Sequence, residues 1–416
     1  MHTRSLAARM AFSKLRVATV AALALTGATA ASVFSGPAIA APSRQATQVE
    51  AFLADHWPHG ASGTVLVARA GQEIACEGLG WADSAKHIRA RCDTAYDIGS
   101  ATKQFTAAAI LKLQMMGRLR VSDPIDEFID GVPPDKRTIT ISDLLTMTSG
   151  LLDTLGGDYQ PLSREDMLDE AMHSRLLSPP GKAWHYSNVS YSILAAIIEK
   201  VSGMGYEPFL ARYLFRPAGM RHTGYLLPHW QPGQVAVEYN SRGRAMGRPF
   251  DHPWAKNGPY WNLRGNGGII STAPDMLRWD RALLHYTVLS RNAERELFAP
   301  RVRIDSAGDQ YAYGWEILHS GLGPVAAHNG SNGWSFAVIA RLLRQKVLVF
   351  WASNHAFQTG RWNLQQTQVN LTYGLLQAAL SAGPSTGAPS GQPSARRAGL
   401  GGCPTPWRPA AASTYS

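Results

Sequence analysis

The stretch DIGSATKQF, Asp97 to Phe105, places a serine three positions before a lysine. When every lysine of the chain is checked for a serine at that spacing, Lys103 is the sole match, with Ser100. Gly99 offers a tight turn, and the spacing of Phe105, Ile110, Leu113 and Met116 predicts a helix over Thr102 to Met116 with those residues on its apolar side. Ser100 then sits at a helix N-terminus. Side chains at i and i+3 share a helical face, so Lys103 lies beside the Ser100 hydroxyl. The unpaired N–H groups of the first turn face the space where an oxyanion could form. Taken alone, the pair fits two readings: an activated nucleophile, or an N-cap followed by a solvated helix charge.

Outward from this stretch the pattern is sheet, then helices, then sheet. Thr64 to Arg69 and Glu73 to Trp81 read as strands joined by an Ala70-Gly71 turn. From Leu119 to about Arg264 the chain turns helical and loop-rich, with helices expected over Ser142 to Met147, Arg164 to Leu176 and Ser190 to Val201. Short strands return at Tyr313 to Leu318, Pro324 to His328, Ser335 to Leu342 and Val347 to Ser353, and a last helix is expected over Leu364 to Leu380. The simplest architecture is an α+β fold. Its mainly antiparallel sheet is built from both chain ends (about residues 45–118 and 265–382) and flanked by helices, with a helical lobe (about 119–264) inserted.

The two ends read differently from the body. Arg4, Arg9, Lys14 and Arg16, the Ala-rich apolar run Val17 to Phe34, and Ala38-Ile39-Ala40 resemble a secretory signal peptide over residues 1–40, cleaved before Ala41. An uncleaved anchor is the alternative, but Thr19, Thr26, Gly27 and Thr29 dilute a run already short for a bilayer. Residues 383–416 are rich in Gly, Pro, Ser and Ala and read as a disordered tail. The formal charge of +10 comes largely from these ends, and the basic residues of the body are scattered, which argues against a nucleic-acid surface. Three cysteines exclude a disulfide scaffold; an oxidising compartment would let Cys76 pair with Cys92, two buried free thiols being the alternative, and Cys403 is left over.

Two further clusters carry possible chemistry. Tyr186-Ser187-Asn188 precedes the Ser190 helix, and Tyr186 could act as a base if Lys103 lowered its pKa; a buried, hydrogen-bonded tyrosine is the alternative. Tyr260-Trp261-Asn262 repeats the pattern, so the motif alone is weak. His328-Asn329-Gly330 ends the Pro324 strand, where backbone N–H groups could meet an acyl carbonyl and Gly330 would allow close approach. Histidine in such a place is also commonly structural.

In order, Ser-x-x-Lys, Tyr-x-Asn and His-x-Gly resemble the serine β-lactamase and penicillin-binding-protein superfamily, in the branch of class C β-lactamases, D-Ala-D-Ala carboxypeptidases and related esterases. Asp97-Ile98-Gly99-Ser100, LLTMTSG (Leu144 to Gly150), Pro180-Gly181 before Tyr186, PAGMRHT (Pro217 to Thr223), GGIISTAPD (Gly267 to Asp275) and Tyr313-Gly314-Trp315 resemble further landmarks of the family, in its order, over about residues 60–355. The resemblance implies an exported, periplasmic or secreted serine hydrolase working through an acyl-enzyme. Ser100 would be the nucleophile, and Lys103 and Tyr186 the groups that take and return its proton. Asn188 would bind a substrate amide. The N–H groups of Ser100 and Ser331 would form the oxyanion hole, and His328 would support Tyr186 or a substrate carboxylate. It implies no metal, no cofactor and no nucleic acid; the partner is a small molecule or peptide with an ester, amide or lactam carbonyl. His328-Asn329-Gly330 stands where class C β-lactamases usually carry Lys-Thr-Gly, which favours an esterase or D-amino-acid peptidase or amidase over a β-lactamase. A penicillin-recognising binding or sensor domain is the alternative of another class. Met147, where many relatives have histidine, reads as structural. Trp254, Tyr260 and Trp261 in the 251–268 loop either line an acyl pocket or fill the interlobe core.

Overall fold

The computed structural model describes residues 44–356 and 358–381; the expected signal peptide, the tail and Cys403 lie outside them. A first helix, α1 (Arg44–His56), precedes the hairpin β1 (Gly63–Arg69) and β2 (Gln72–Leu79). The turn between these strands is Ala70-Gly71, both at positive φ, the geometry that matches the twist of a two-residue hairpin. β3 (Ala95–Asp97) leads through a single tight 3₁₀ turn, Gly99–Thr102, into α2 (Lys103–Met115). The helical region contains α3 (Ile141–Leu145), α4 (Arg164–His173) and α5 (Asn188–Ser202). The chain then returns through β4 (Thr223–Gly224), β5 (Ile270–Thr272) and α6 (Ala273–Leu284) to the short strands β6 (Val302–Arg303), β7 (Gln310–Tyr311) and β8 (Glu316–Leu318). Three long strands follow, β9 (Val325–Ser331), β10 (Phe336–Leu342) and β11 (Val347–Ser353), and α7 (Leu364–Leu380) ends the described chain.

Eight strands form one antiparallel sheet in the order β6-β7-β8-β9-β10-β11-β1-β2, so the expected α+β sheet joins N-terminal to C-terminal strands at β1 and β11. Strand periodicity explains why both faces are covered. Val65, Val67, Val349 and Trp351 point into one core with Val49, Leu53, Leu371 and Leu375 of α1 and α7, whereas Leu66, Ala68, Leu348 and Phe350 point into the other with Phe105 and Ile110 of α2 and Trp279 of α6. The central strands are thus apolar on both faces, and the result is a sheet between two helical layers.

Several expected boundaries move for local reasons. The Glu73 to Trp81 strand breaks at Gly80, whose φ of 68° lets Trp81–Asp83 start a separate pairing with Ile88–Arg89. Met147 falls outside α3, with a φ of 59°, and α4 stops at His173 because Ser174 is extended. Met116, expected on the apolar side of its helix, is exposed. The Tyr313 to Leu318 strand shrinks to β8 because Gly314 turns the chain at φ 73°, and the Pro324 strand runs past His328 to Ser331. α1 was not expected from the sequence. Cys76 and Cys92 are joined in a disulfide that ties β2 to the segment entering β3.

One close approach positions the site. A Cβ on Gly330 would lie 2.1 Å from the Ile98 carbonyl oxygen and 2.4 Å from the Ser100 nitrogen, and a Cβ on Gly99 would lie 2.3 Å from the Ser331 nitrogen. The 3₁₀ turn therefore packs directly on β9, backbone against backbone. Gly330→Ala is expected to force the two segments apart, lowering stability by about 1–3 kcal/mol in denaturant unfolding and reducing catalysis more than a matched Gly233→Ala change, where no heavy atom comes within 4 Å.

Candidate active site

Ser100 is not an N-cap: no side-chain capping bond forms at either helix start around it. Instead its Oγ is met by two side chains, Lys103 Nζ at 3.0 Å and the Tyr186 hydroxyl at 2.8 Å. The helical i, i+3 spacing supplies the first contact and the start of α5 the second. Ser187 caps α5, its Oγ accepting from the Ser190 N–H, which fixes Asn188 in the first turn and Tyr186 just before it. The His185 N–H donates to the carbonyl of Met147, so the left-handed residue in the buried LLTMTSG segment anchors the stretch of chain that carries Tyr186.

Lys103 is fully buried, and its Nζ has two further acceptors, Asn188 Oδ1 at 2.7 Å and the Asn266 carbonyl at 2.8 Å. The rings of Tyr186 and Tyr191 lie 4.9 and 5.6 Å from the same nitrogen. Burial penalises the ammonium more than the Asp153 and Asp158 carboxylates restore it, and brings the Lys103 pKa down to about 7. Near neutrality a large fraction of the amine is thus uncharged. With its two protons on Asn188 Oδ1 and the Asn266 carbonyl, its lone pair then faces the Ser100 hydroxyl.

The same burial acts in the opposite sense on Tyr186. Its hydroxyl is held well above the usual tyrosine range, desolvation outweighing the Ser100 hydrogen bond. The expectation that Lys103 would lower the tyrosine pKa is therefore corrected: a buried lysine gives up its own proton before the phenol does. Tyr186 stands as a protonated phenol donating to Ser100 Oγ.

His328 also departs from expectation. It is buried on β9, its Nδ1–H donating to the Asn329 carbonyl at 2.6 Å and its Nε2 facing the Tyr311 hydroxyl at 3.2 Å, so its hydrogen-bond partner is Tyr311 rather than Tyr186. Burial and the nearby Lys103 push its pKa down to about 3. The imidazole is neutral and offers a substrate carboxylate no charge. Gly330 and Ser331 lie against the Gly99-Ser100 turn as described, and the Ser331 hydroxyl donates to the Ser335 carbonyl within the loop that follows β9.

Residues to which the sequence assigns no site role complete the arrangement. Asp97 Oδ1 accepts from the Gly99 N–H at 2.7 Å, and its Oδ2 accepts from Asn332 Nδ2, which also donates to Glu238 Oε1 at 2.7 Å. This buried bridge ties the Ser100 turn to the loop after β9. Desolvation and the nearby Glu238 carboxylate raise the Asp97 pKa well above the carboxylate range. Tyr260-Trp261-Asn262 lies elsewhere: Trp261 and Tyr260 line a cavity of about 550 Å³ with Arg164, Glu199 and Arg264, and none of Ser100, Lys103 or Tyr186 contributes to it. Trp254 packs edge-on against Tyr225, as a core aromatic does. Among the described residues, the one cluster with metal-ligand spacing, Glu73 with Cys76 and Cys92, has both sulfurs spent in the disulfide, and no helix is long and apolar enough to cross a membrane.

Comparison with known proteins agrees with this fold. The Beta-lactamase family model matches residues 46–373. Of curated relatives, the Bacillus subtilis penicillin-binding protein PbpX is 32% identical over 279 residues, which span 66% of this chain and 68% of its own. Among solved structures, a penicillin binding protein from Bacillus halodurans is similar at 25% identity with a TM-score of 0.65, covering 80% of this chain and 99% of that one. The D-amino acid amidase of Ochrobactrum anthropi shares the fold at 20% identity with a TM-score of 0.69, covering 82% and 99%. The family match over most of the chain, with the antiparallel sheet flanked by helices, places the protein in the beta-lactamase family, within the serine β-lactamase and penicillin-binding-protein superfamily.

Proposed function

We propose that this protein is an exported serine hydrolase that passes through an acyl-enzyme on Ser100 and cleaves esters or D-amino-acid amides and peptides. The observation that carries the reading is the pair of contacts on Ser100 Oγ, one from a buried lysine near its point of neutrality and one from a protonated tyrosine. Ser100 Oγ attacks the substrate carbonyl while its proton passes to the Lys103 lone pair. The carbonyl oxygen becomes an oxyanion beside the backbone N–H groups of Ser100 and Ser331, which the Gly99 and Gly330 contact brings together. As the tetrahedral species collapses, Tyr186 gives its proton to the departing oxygen or nitrogen and recovers one from the lysine ammonium. Water then attacks the ester on Ser100, losing its proton to the amine, which passes it to the departing Ser100 Oγ as the acid is released. The basic and apolar leader of residues 1–40 supports export.

The neutral His328 is the observation that sets β-lactam hydrolysis behind ester and amide cleavage, because it brings no cation to the β9 edge for a lactam carboxylate. The penicillin-binding names of the relatives keep acylation by a β-lactam as the second reading. Asn188, expected to bind a substrate amide, has its oxygen on Lys103 and one amide proton on Asp153; only its second amide proton is left for substrate.

Against a panel of p-nitrophenyl esters and D-amino-acid p-nitroanilides, Ser100→Ala is expected to lower kcat/KM by at least about a thousandfold on every compound the wild type cleaves. Retained turnover in that variant sinks the acyl-enzyme reading. Persistent benzylpenicillin adducts without ester or amide turnover would move the assignment to penicillin recognition. The pH dependence has a definite sign: the neutral amine is the active form, so kcat/KM rises as pH increases through about 7 and levels above it. Lys103→Arg, whose guanidinium keeps its proton, is expected to show no such plateau.

A further inference from the structure

Asn188 is an amide with one donating and one accepting end, and nothing in the amide itself decides which end faces Lys103. The neighbouring loop decides it. Asp153 Oδ1 lies 3.0 Å from Asn188 Nδ2, and an ionised carboxylate can only accept, so the NH₂ group must face Asp153 and the oxygen must face Lys103 Nζ at 2.7 Å. The main chain of Asp153 is held independently of this bond, because its carbonyl accepts the Asn188 N–H at 2.9 Å and the Val189 N–H at 3.1 Å, on the first turn of α5.

We propose that Asp153 is a positioning residue: its carboxylate locks the Asn188 amide with the oxygen turned to Lys103, and so leaves the lysine lone pair for Ser100. The proposal rests on the reading of Lys103 as the acceptor of the Ser100 proton. In the locked orientation, Asn188 Oδ1 and the Asn266 carbonyl take two lysine protons, and the remaining direction is that of Ser100 Oγ at 3.0 Å. Turned over, Asn188 would present its NH₂ to the amine, and the lone pair would be spent on it.

The titratable groups facing Lys103 come from four elements: Asp153 and Asp158 from the loop between α3 and α4, Tyr186 from the segment before α5, Tyr191 from α5 itself, and His328 from β9. Asp153 is the larger of the two carboxylate influences that hold the lysine proton on, and Lys103 in turn is the main influence that offsets the effect of burial on Asp153. Removing the carboxylate therefore has two separable effects. The amide loses its lock, and the lysine becomes easier to deprotonate.

The test uses ¹³C-lysine NMR of the whole protein, with the Lys103 Cε signal assigned through Lys103→Arg, together with the kcat/KM profile on a p-nitrophenyl ester. Asp153→Asn, close to isosteric, is expected to move the Lys103 titration to lower pH by about one pH unit and the acid limb of kcat/KM with it. It should also lower kcat about tenfold or more, since the carboxamide that replaces the carboxylate can satisfy either face of Asn188. Asp153→Glu keeps the charge and is expected to hold the titration near its wild-type position. In an Asn188→Ala background, Asp153→Asn should cost no further kcat. An undiminished kcat in Asp153→Asn, or an equal loss of kcat with and without Asn188, overturns the lock. A Lys103 titration that shifts while the acid limb stays in place contradicts the role of Lys103 as proton acceptor and leaves the lock standing.

Discussion

Everything in this site depends on taking the amine of Lys103 out of water. An ammonium so buried is costly unless it is paired or gives up its proton; its three hydrogen-bond acceptors are neutral, and the Asp153 and Asp158 carboxylates offset only part of the cost of burial. The outcome is a lysine balanced near neutral pH. The same low-dielectric surroundings keep Tyr186 and His328 uncharged, one as a phenol and the other as a neutral imidazole. One physical effect, desolvation, thus assigns the protonation states of all three side chains.

The scaffold achieves this by converging on α2. That helix lies against the sheet through Phe105 and Ile110 and against the helical region through α5, so Lys103 emerges from its first turn into the seam between the two. Each wall of the seam then contributes a fixed partner: α5 provides Asn188, the loop before β5 the Asn266 carbonyl, and β9 the backbone beside Ser100. Tyr186 is carried instead on an irregular segment that is fixed by the His185 bond to Met147 and by the Ser187 cap of α5.

Much of this was legible in the chain. The sheet could be read from β-branched runs such as TVLVAR, because strands buried on both faces need apolar residues throughout. Ser100 and Lys103 could be read because helical spacing alone brings them together, and Tyr186 and Asn188 because the Tyr-x-Asn pattern stands in the family's order just ahead of the helix expected from Ser190. The protonation states could not. The sign of the lysine–tyrosine interaction turns on burial, and burial is a property of α5, β9 and the 263–268 segment packing around Lys103. Asp153, Asn266 and Asn332 carry no local signal either, since their partners are distant in sequence. Likewise the sequence leaves His328 available to Tyr186, whereas in the fold Tyr311, on the short strand β7 two places along the sheet, faces its Nε2. The aromatic 251–268 loop misleads for a related reason: the sequence leaves Trp254 and Trp261 either to a pocket or to the core, and only packing shows that the first sits against Tyr225 and that the cavity beside the second is not lined by Ser100.

The claim on which the account stands is that the Ser100 hydroxyl carries the acyl group. The direct measurement is rapid acid quench of the protein during turnover of an activated ester, followed by peptide mapping by mass spectrometry. The account predicts an acyl increment confined to the peptide that contains Ser100 and absent in Ser100→Ala. An increment on another residue, or one that survives the removal of Ser100, would contradict it.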